Sequence, residues 1–304
     1  MNSDSILILG TGALATFFAA RFASAGISVT MLGSWKQGIN AINKKGVQVD
    51  GESRFFPVHA TADPDECTGF HFAMVLVKAW QTERAAEYLT GCLVENGIAL
   101  TLQNGLGNDT ILSNHLGLHR VAQGVTTLGS YLVAPGLVHL GGAGPISLES
   151  NPRLSPLEEM IRRAGFEVKT VADIQSLIWG KLVISSAIVP LTALLRVKNG
   201  ELLNLPSARY LMGQLTIETS MLANKLGIVL PFVNAELAVE EVAARTAENR
   251  SSMLRDILRG APTEIDAING AIVHLADLEH VHVPVNRVVW SLVKAIPVRG
   301  KIKM

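Results

Sequence analysis

A single lysine lies inside one of the most apolar stretches of the chain. Lys181 follows Leu177-Ile178-Trp179-Gly180 and precedes Leu182-Val183-Ile184, a pattern that indicates a buried helix. Because burial disfavours the ammonium form, it lowers the pKa of a lysine, which suits the residue to donate a proton near neutral pH. Ser185 lies one turn later on the same face. The alternative is structural: the aliphatic stem covers the core and the amine reaches water.

Polar residues also follow two predicted strands. Lys78 comes after the apolar run 72–77, and Asn104 comes after the run 98–103. Since the carboxyl ends of strands in an open α/β sheet line the ligand crevice, both positions favour a role in binding. Asn104 precedes Gly105, however, and Asn-Gly is a favoured turn pair, so a purely structural turn is the alternative.

A third polar cluster lies late in the chain. It comprises Asn249, Ser251, Ser252, Asp256, Glu264 and Asp266. Serines before an apolar run are typical of a helix N-cap, and carboxylates suit the first turn of a helix. A structural interpretation of this cluster therefore stands beside a functional one.

The element that would position a ligand begins at the N-terminus. The apolar run Ile6–Leu9 leads into a glycine-rich turn, after which residues 16–25 form a predicted helix. The turn consists of Gly10, Thr11, Gly12, Ala13, Leu14 and Ala15, which fits the dinucleotide-binding pattern G-x-G-x-x-A. Gly10 permits the tight turn, Gly12 lets the backbone approach a pyrophosphate, and Ala15 lets the helix pack near the strand. The helix N-terminus offers N–H groups to the phosphates.

The end of the second predicted strand favours NADP over NAD. NAD-specific sites usually carry an acidic residue there, which binds the ribose hydroxyls. Here the strand ends in Met31-Leu32-Gly33-Ser34-Trp35-Lys36, without a carboxylate. Ser34 and Lys36 could instead accept a 2′-phosphate, whereas the alternative is that Lys36 is an ordinary surface lysine.

Strand and helix signals alternate in the N-terminal half, and helical patterns dominate after Asp173. Apolar strands at 5–9, 28–32, 72–77, 98–102 and 121–125 predict a parallel sheet covered on both faces. The C-terminal half predicts helices that include 173–187 and 201–226. We therefore expect a doubly wound, Rossmann-type α/β domain at 1–172 and an all-α domain at 173–304.

Composition limits the class of protein. Of 304 residues, 48% are hydrophobic and 17% charged, with no net charge, which indicates a large core. No basic stripe suggests nucleic acid, and Cys67 and Cys92 lack the spacing of a metal site or a disulfide framework. The apolar stretch 177–195 contains Lys181 and Pro190, which favours a buried helix over a membrane span. We expect a cytoplasmic protein, and assign no function to the basic tail 299–304.

Taken in order, these residues and further blocks resemble the ketopantoate reductase (2-dehydropantoate 2-reductase) family over nearly the whole chain. Besides the glycine turn, the matching blocks are Val77-Lys78-Ala79-Trp80, Gln103-Asn104-Gly105-Leu106-Gly107, Trp179-Gly180-Lys181-Leu182, Pro190-Leu191-Thr192-Ala193-Leu194, Asn199-Gly200-Glu201-Leu202, Ser251-Ser252-Met253-Leu254-Arg255-Asp256 and Thr263-Glu264-Ile265-Asp266-Ala267-Ile268-Asn269-Gly270. The resemblance implies a 6-phosphogluconate-dehydrogenase-like fold. It also implies reduction of a 2-oxo acid with NADPH, on the pathway to pantothenate and coenzyme A.

The resemblance also implies roles for individual residues. Lys181 matches the catalytic lysine, and Glu264 matches the carboxylate that binds the substrate hydroxyl. Ser252 matches the serine that holds the substrate carboxylate. The remaining positions line the site: Asn199 and Asn249 around the substrate, with Lys78 and Asn104 near the nicotinamide and the lysine.

The chain departs from the family pattern one and two turns after Lys181. The family often has asparagines where this chain has Ser185 and Val189. Serine can still form a hydrogen bond, but valine cannot. The loss of amide contacts weakens the binding of ketopantoate or favours a more apolar 2-oxo acid. A related, less polar oxo acid is therefore one alternative, and a non-catalytic NADP-binding sensor is another. Apolar helices could support a homodimer, but the sequence does not fix the subunit number.

Overall fold

A computed structural model of the chain describes residues 4–298. The basic tail 299–304 lies outside the described residues. The described residues form two compact units: one contains residues 4–103 together with Asn108–Ile174, and the other contains Asn104–Gly107 together with residues 175–298. The short segment Asn104–Gly107 thus packs with the second unit although it lies within the first half of the sequence.

Eleven strands belong to the described part of the first unit. They are β1 Ser5–Leu9, β2 Ser28–Leu32, β3 Gln48–Val49, β4 His59–Thr61, β5 Phe70–Val75, β6 Leu93–Thr101, β7 Val121–Thr126, β8 Gly129–Ala134, β9 Leu137–Gly142, β10 Ile146–Glu149 and β11 Val168–Val171. Its described α-helices are α1 Ala13–Ser24, α2 Lys36–Lys45, α3 Thr82–Cys92, α4 Asn108–Leu116 and α5 Ser155–Arg163.

The main sheet has the strand order β11-β10-β7-β6-β5-β1-β2-β4. Its centre is parallel, as the alternating strand and helix signals predict. The strands predicted for the parallel sheet correspond to β1, β2, β5, β6 and β7, and these pair in parallel. The next strand, β10, joins β7 antiparallel. The reason is local: β8 and β9 form a hairpin within a small separate sheet, β3-β9-β8, and the chain returns from it to pair β10 against β7.

Both faces of the main sheet are buried. Along β1, Ile6 and Ile8 join an apolar cluster with the phenylalanines of α1, while Leu7 and Leu9 join a second cluster on the α3 side. The four side chains are at most 1% exposed. A continuous apolar strand of this kind requires cover on both faces, which fixes the start of the glycine turn at the end of a central strand.

The second unit is helical in the part that the structure describes. Its α-helices are α6 Ile174–Leu195, α7 Pro206–Lys225, α8 Ala235–Arg245, α9 Ser252–Arg259, α10 Ala271–Leu278 and α11 Pro284–Lys294. A 3₁₀ helix at Asn199–Asn204 and a π-helical turn at Asp266–Gly270 complete it.

Two predicted helix boundaries in this unit were wrong, and prolines explain both. The expected helix 173–187 continues through Pro190 to Leu195. Pro190 has no N–H for the Ser186 carbonyl, but Asn269 Nδ2 donates to that oxygen (3.1 Å), which compensates for the missing bond. The expected helix 201–226 is divided before Pro206, because a residue that precedes proline favours an extended backbone.

Helix α6 lies between two apolar clusters. Trp179 and Leu182 belong to one cluster, while Val183 and Ala187 belong to the other. By length and composition alone, α6 could cross a membrane, but 61% of its most apolar 18-residue window is buried inside the protein. A helix that is apolar on all sides is typical of a protein core, and Lys181 lies on this helix between buried residues of the two clusters.

Candidate active site

Lys181 is half-buried on α6, between Trp179 and Leu182, which are 4% and 2% exposed. Loss of hydration lowers the pKa of Lys181 from 10.5 to about 8, and the Glu264 carboxylate partly opposes this shift. The cause is the one that its apolar neighbours predict: burial disfavours the charged amine. At neutral pH the group is still an ammonium, yet it gives up its proton far more readily than a surface lysine does.

Glu264 lies in the same unit and is 5% exposed. It precedes the π-helical turn Asp266–Gly270, and its side chain contacts Asn104, whose Nδ2 donates a long hydrogen bond to Glu264 Oε2 (3.5 Å). The fold thus brings together Lys181, Glu264 and Asn104 from three distant parts of the sequence. In such a group the half-buried ammonium can protonate one atom of a ligand while the carboxylate binds a hydroxyl of the same ligand.

The two serines before α9 have different environments. Ser251 is the N-cap: its Oγ accepts the Leu254 N–H (3.1 Å) and a hydrogen bond from the Thr192 hydroxyl (2.7 Å). Ser252 is the first residue of the helix, and its side chain is exposed. The capping interpretation therefore holds for Ser251, while Ser252 stands at a helix N-terminus that has no acidic residue in its first turn.

Asn199 and Asn249 lie side by side. The Asn199 N–H donates to the Asn249 carbonyl (3.0 Å), and Asn199 Nδ2 donates to Thr246 Oγ1 (2.9 Å). Thr246 Oγ1 itself donates to the Val242 carbonyl, which fixes the orientation of the Asn199 amide. Within the described residues, Asn199 Oδ1 is buried and has no hydrogen-bond partner. A buried acceptor of this kind favours a ligand that brings a donor.

The two other carboxylates of the late cluster have structural partners. Asp256 binds Arg259 (2.6 Å), while Asp266 accepts a hydrogen bond from Trp290 Nε1 (2.7 Å) and pairs with Lys294.

On α6, Ser185 and Val189 are half-buried, and Val189 packs against the apolar cluster of Trp179.

In the first unit, the glycine turn has the geometry of a phosphate cradle. Gly10 has φ +124°, and a Cβ there would lie 3.1 Å from the Leu76 carbonyl oxygen. Gly12 is the N-cap of α1 and borders open space, so it gives no side-chain cap to the first turn, where Ala13 and Leu14 begin the helix. Thr11 and Ala15 are buried. These residues fit a dinucleotide pyrophosphate, because N–H groups at a helix start bind anions.

The sequence interpretation missed a basic residue near the end of β2. Arg84 Nη2 donates to Ser34 Oγ (3.0 Å), and Lys36 is the exposed first residue of α2. Arg84 lies fifty positions after Ser34 and belongs to α3. No local spacing in the sequence could have indicated this pairing.

Lys78 is half-buried at the start of the 3₁₀ turn Ala79–Gln81, just after β5. A second residue missed by the sequence interpretation, Gln103, fixes this region. Its Nε2 donates to the Val77 carbonyl (2.9 Å) and lies 2.8 Å from Thr82 Oγ1. Gln103 therefore links the segments that follow β5 and β6, within the first unit.

Comparison with known proteins places the chain among reductases. The family described as "Ketopantoate reductase PanE/ApbA" matches residues 6–153, and the corresponding C-terminal family matches residues 173–297. A relative from Archaeoglobus fulgidus, named 2-dehydropantoate 2-reductase, is 36% identical over 302 residues, covering 97% of this chain and 99% of the relative. These matches confirm the family resemblance.

Solved structures agree with the fold. The PanE/ApbA family ketopantoate reductase from Ralstonia eutropha JMP134 has a TM-score of 0.90 and 28% identity, covering 96% of this chain and 98% of its own. D-mandelate dehydrogenase with NADH and anilino(oxo)acetate has a TM-score of 0.89 at 22% identity, covering 96% and 97%, which is a likeness of fold alone. The predicted combination of a Rossmann-type sheet and a helical C-terminal region is thereby confirmed.

Proposed function

The chain belongs to the ketopantoate reductase family, and from this we propose that it reduces 2-dehydropantoate to pantoate with NADPH, using Lys181 as the general acid. Membership makes it a pyridine-nucleotide oxidoreductase of the 2-dehydropantoate 2-reductase type. The observation that carries the role of Lys181 is its place on the apolar helix α6 near the buried Glu264 carboxylate, where burial lowers its pKa to about 8. The product would serve pantothenate and coenzyme A synthesis.

The glycine turn would hold the dinucleotide, with Gly10, Gly12 and the first turn of α1 around the pyrophosphate. When bound, the reduced nicotinamide supplies a hydride to the keto carbon. Lys78 and Asn104 would lie near the nicotinamide. The 2′-phosphate would be bound by Ser34, Lys36 and Arg84. Two basic side chains and a hydroxyl suit a phosphate, which favours NADPH over NADH.

Lys181 has two tasks in this proposal. Negative charge develops on the carbonyl oxygen as the ketone is reduced, and a positioned ammonium stabilises that charge. The same group then gives its proton to the oxygen, which the lowered pKa favours. General acid catalysis of this kind typically contributes ~10²–10⁴-fold to the rate.

The other polar groups would hold the substrate. Glu264 would accept a hydrogen bond from the substrate hydroxyl, and a buried acceptor of this kind penalises analogues that lack the hydroxyl. Ser252 and the N–H groups at the start of α9 would bind the substrate carboxylate. Asn199, through its unpaired Oδ1, and Asn249 would line the same pocket with Ser185.

A second candidate substrate is a less polar 2-oxo acid. Val189 is an apolar residue on the Lys181 face of α6 and packs in the core, so it offers no hydrogen bond to a ligand. The fold itself does not fix the acid, since D-mandelate dehydrogenase has it too. Steady-state rates with 2-dehydropantoate and a series of branched and aromatic 2-oxo acids test both candidates. A kcat/KM for another acid thousands of times higher than for 2-dehydropantoate would exclude the first.

A non-catalytic NADP-binding sensor predicts a different result in the same assay. Such a protein binds NADPH, which nucleotide fluorescence can measure. It does not oxidise NADPH in the presence of any of the 2-oxo acids. A sensor also does not need a half-buried lysine of lowered pKa beside a carboxylate. Substrate-dependent NADPH oxidation that is lost in Lys181→Ala, with NADPH binding retained, would exclude the sensor.

The proposal concerns a cytoplasmic enzyme with a small-molecule substrate and without a nucleic-acid or membrane partner. A homodimer stays a prediction. Tyr210, Ile217 and Met221 lie on one face of α7 and are 66%, 38% and 53% exposed, which supports self-association. Analytical ultracentrifugation across a concentration series measures it, and a constant monomer mass would exclude it.

A further inference from the structure

The segment Asn104–Gly107 docks on the helical unit through its backbone. The Leu106 N–H donates to the Ala267 carbonyl (2.9 Å). Gly105 lies so close to the same carbonyl that a Cβ at position 105 would overlap Ala267 O. Gly105 has φ +82°, a conformation that residues other than glycine rarely adopt. Position 105 therefore requires glycine for two reasons, its backbone conformation and its contact with Ala267.

Ala267 is directly connected to Glu264. The N–H groups of Ala267 and Ile268 both donate to the Glu264 carbonyl, at 3.1 and 3.2 Å. Ala267 belongs to the π-helical turn, a rare geometry that occurs often at functional sites. We therefore expect a shift of the Ala267 backbone to displace Glu264, the residue that carries the carboxylate.

The side chain of the neighbouring residue reaches the same carboxylate. Asn104 Nδ2 contacts Glu264 Oε2 at 3.5 Å, so Glu264 is restrained from two sides. One restraint acts on its backbone through Ala267, and the other acts on its side chain through Asn104. Both originate in one short loop whose position is set at Gly105 and Leu106.

We propose that Gly105 and Leu106 form a docking point on Ala267 that holds Asn104 against the Glu264 carboxylate, and so fixes the charge beside the proton donor. Gly105 and Leu106 are positioning residues, because they act on Lys181 through Glu264. This inference rests on the proposed function for the role of Lys181, but the docking itself does not.

The direction of the effect follows from the charges. Glu264 is the charged group that raises the pKa of Lys181, against the larger effect of burial, which lowers it. If the docking point is disturbed and the Glu264 carboxylate moves away from Lys181, the carboxylate opposes the effect of burial on the Lys181 pKa less strongly. The pKa of Lys181 then falls further, and the ammonium is lost at lower pH.

The loop provides a matched pair of variants. Gly105 and Gly107 have nearly the same φ, +82° and +85°, so alanine strains the backbone about equally at both positions. A Cβ at Gly107, however, meets nothing within 4 Å, whereas one at Gly105 meets Ala267. Comparison of Gly105→Ala with Gly107→Ala thus separates the docking contact from the strain.

The first measurement needs neither cofactor nor substrate. The protein is acylated with trace acetic anhydride across a pH series, and peptide mass spectrometry gives the labelling of Lys181 and hence its pKa. We expect a lower pKa in Gly105→Ala than in the unaltered protein, and an unchanged pKa in Gly107→Ala. Equal pKa values in all three proteins, or equal shifts in both variants, would overturn the proposal.

The second measurement is turnover. We expect kcat in Gly105→Ala to fall roughly 10- to 100-fold, because small misplacements of catalytic groups have effects of this size. The alkaline limb of its pH profile should shift to lower pH, whereas Gly107→Ala should retain both kcat and the profile. A fall in kcat with the same profile in both variants points to general damage and contradicts the proposal.

A further variant covers the case in which Gly105→Ala does not fold, as thermal unfolding would reveal. Asn104→Ala removes the contact with Glu264 and introduces no overlap with Ala267. The labelling pKa of Lys181 should fall in this variant too, and an unchanged value would overturn the proposal. If no 2-oxo acid is reduced by the unaltered protein, the proposed function fails, but the labelling comparison still decides whether the docking point sets the environment of Lys181.

Discussion

The glycine turn at residues 10–15 and the group around Lys181 are built in opposite ways. The turn presents main-chain N–H groups from one continuous segment, where Gly10 has φ +124°. The Lys181 group combines the ammonium on α6, the carboxylate of Glu264 and the neutral amide of Asn104, which is 160 positions before Glu264. In the proposed function, the phosphate site is therefore formed locally by backbone geometry, whereas the proton donor of lowered pKa is assembled by tertiary packing.

The largest effect should come from the assembled site. Lys181→Ala should lower kcat by ~10²–10⁴-fold, because the proton donor and the charge opposite the developing oxyanion are both lost. The affinity for NADPH, measured by fluorescence titration, should change little, since the glycine turn is intact. Lys225→Ala, at the exposed end of α7, is the control and should behave as the unaltered protein. An unchanged kcat would remove Lys181 from its role.

A substitution in the glycine turn should have the converse effect: it should weaken cofactor binding and leave the environment of Lys181 unchanged. Gly10→Ala places a Cβ 3.1 Å from the Leu76 carbonyl oxygen and strains a left-handed backbone, so we expect NADPH to bind roughly 10- to 100-fold more weakly. The labelling pKa of Lys181 should stay near 8. Gly26→Ala is the matched control, because Gly26 has φ +77° and no atom near its absent Cβ. Equal loss of binding in both variants would attribute the effect to strain alone.

The pH dependence of kcat/KM reports the assembled site directly. The acid is active when protonated, so the rate of reduction should be constant below the Lys181 pKa of about 8 and should fall above it. The expected slope is about tenfold per pH unit on the alkaline side. A profile that stays flat to pH 10 would mean that another group supplies the proton.

A smaller effect is expected at the residues proposed to bind the 2′-phosphate of the dinucleotide. Arg84→Ala removes the guanidinium that binds Ser34, and a charge-assisted hydrogen bond to a phosphate should favour NADPH about tenfold. The ratio of kcat/KM for NADPH and NADH should fall by this factor, with the NADH value unchanged. Arg245→Ala, exposed in the last turn of α8, serves as the control. An unchanged ratio would exclude Arg84 from the proposed 2′-phosphate site.

The smallest effect concerns stability. Because the pKa of Lys181 is lower in the folded chain, about 8 rather than 10.5, its charge opposes folding below pH 8. Lys181→Met should therefore raise the free energy of unfolding by about 1–3 kcal/mol at pH 7. As pH rises from 8 towards 10.5, the unfolded chain binds more protons than the folded one, so the unaltered protein gains stability and the difference shrinks. Urea unfolding at pH 7 and pH 10 measures it, and a destabilised Lys181→Met at pH 7 would contradict the assigned burial.

Sequence interpretation succeeded for features that are formed locally and failed for those that depend on contacts between distant residues. Strands β1 and β2 were predicted with their observed bounds, because each is a short run of mainly apolar or β-branched residues that ends at a glycine. The end of α6 was not, because Pro190 is tolerated only where Asn269, far along the chain, binds the Ser186 carbonyl. Arg84 beside Ser34 and Gln103 beside Thr82 were missed for the same reason, since each pair joins separate elements.

By itself, the sequence determined the glycine turn, the alternation of strands and helices, the apolar setting of Lys181 and, through ordered motifs, the family. These depend on local backbone preference and on the pattern of apolar residues, both of which are written along the chain. Only the tertiary structure decided that Asn104 meets Glu264, that Ser251 rather than Ser252 caps α9, and that Gly105 docks on Ala267. Contacts of this kind depend on the distance between residues remote in sequence, which is set when the helices pack.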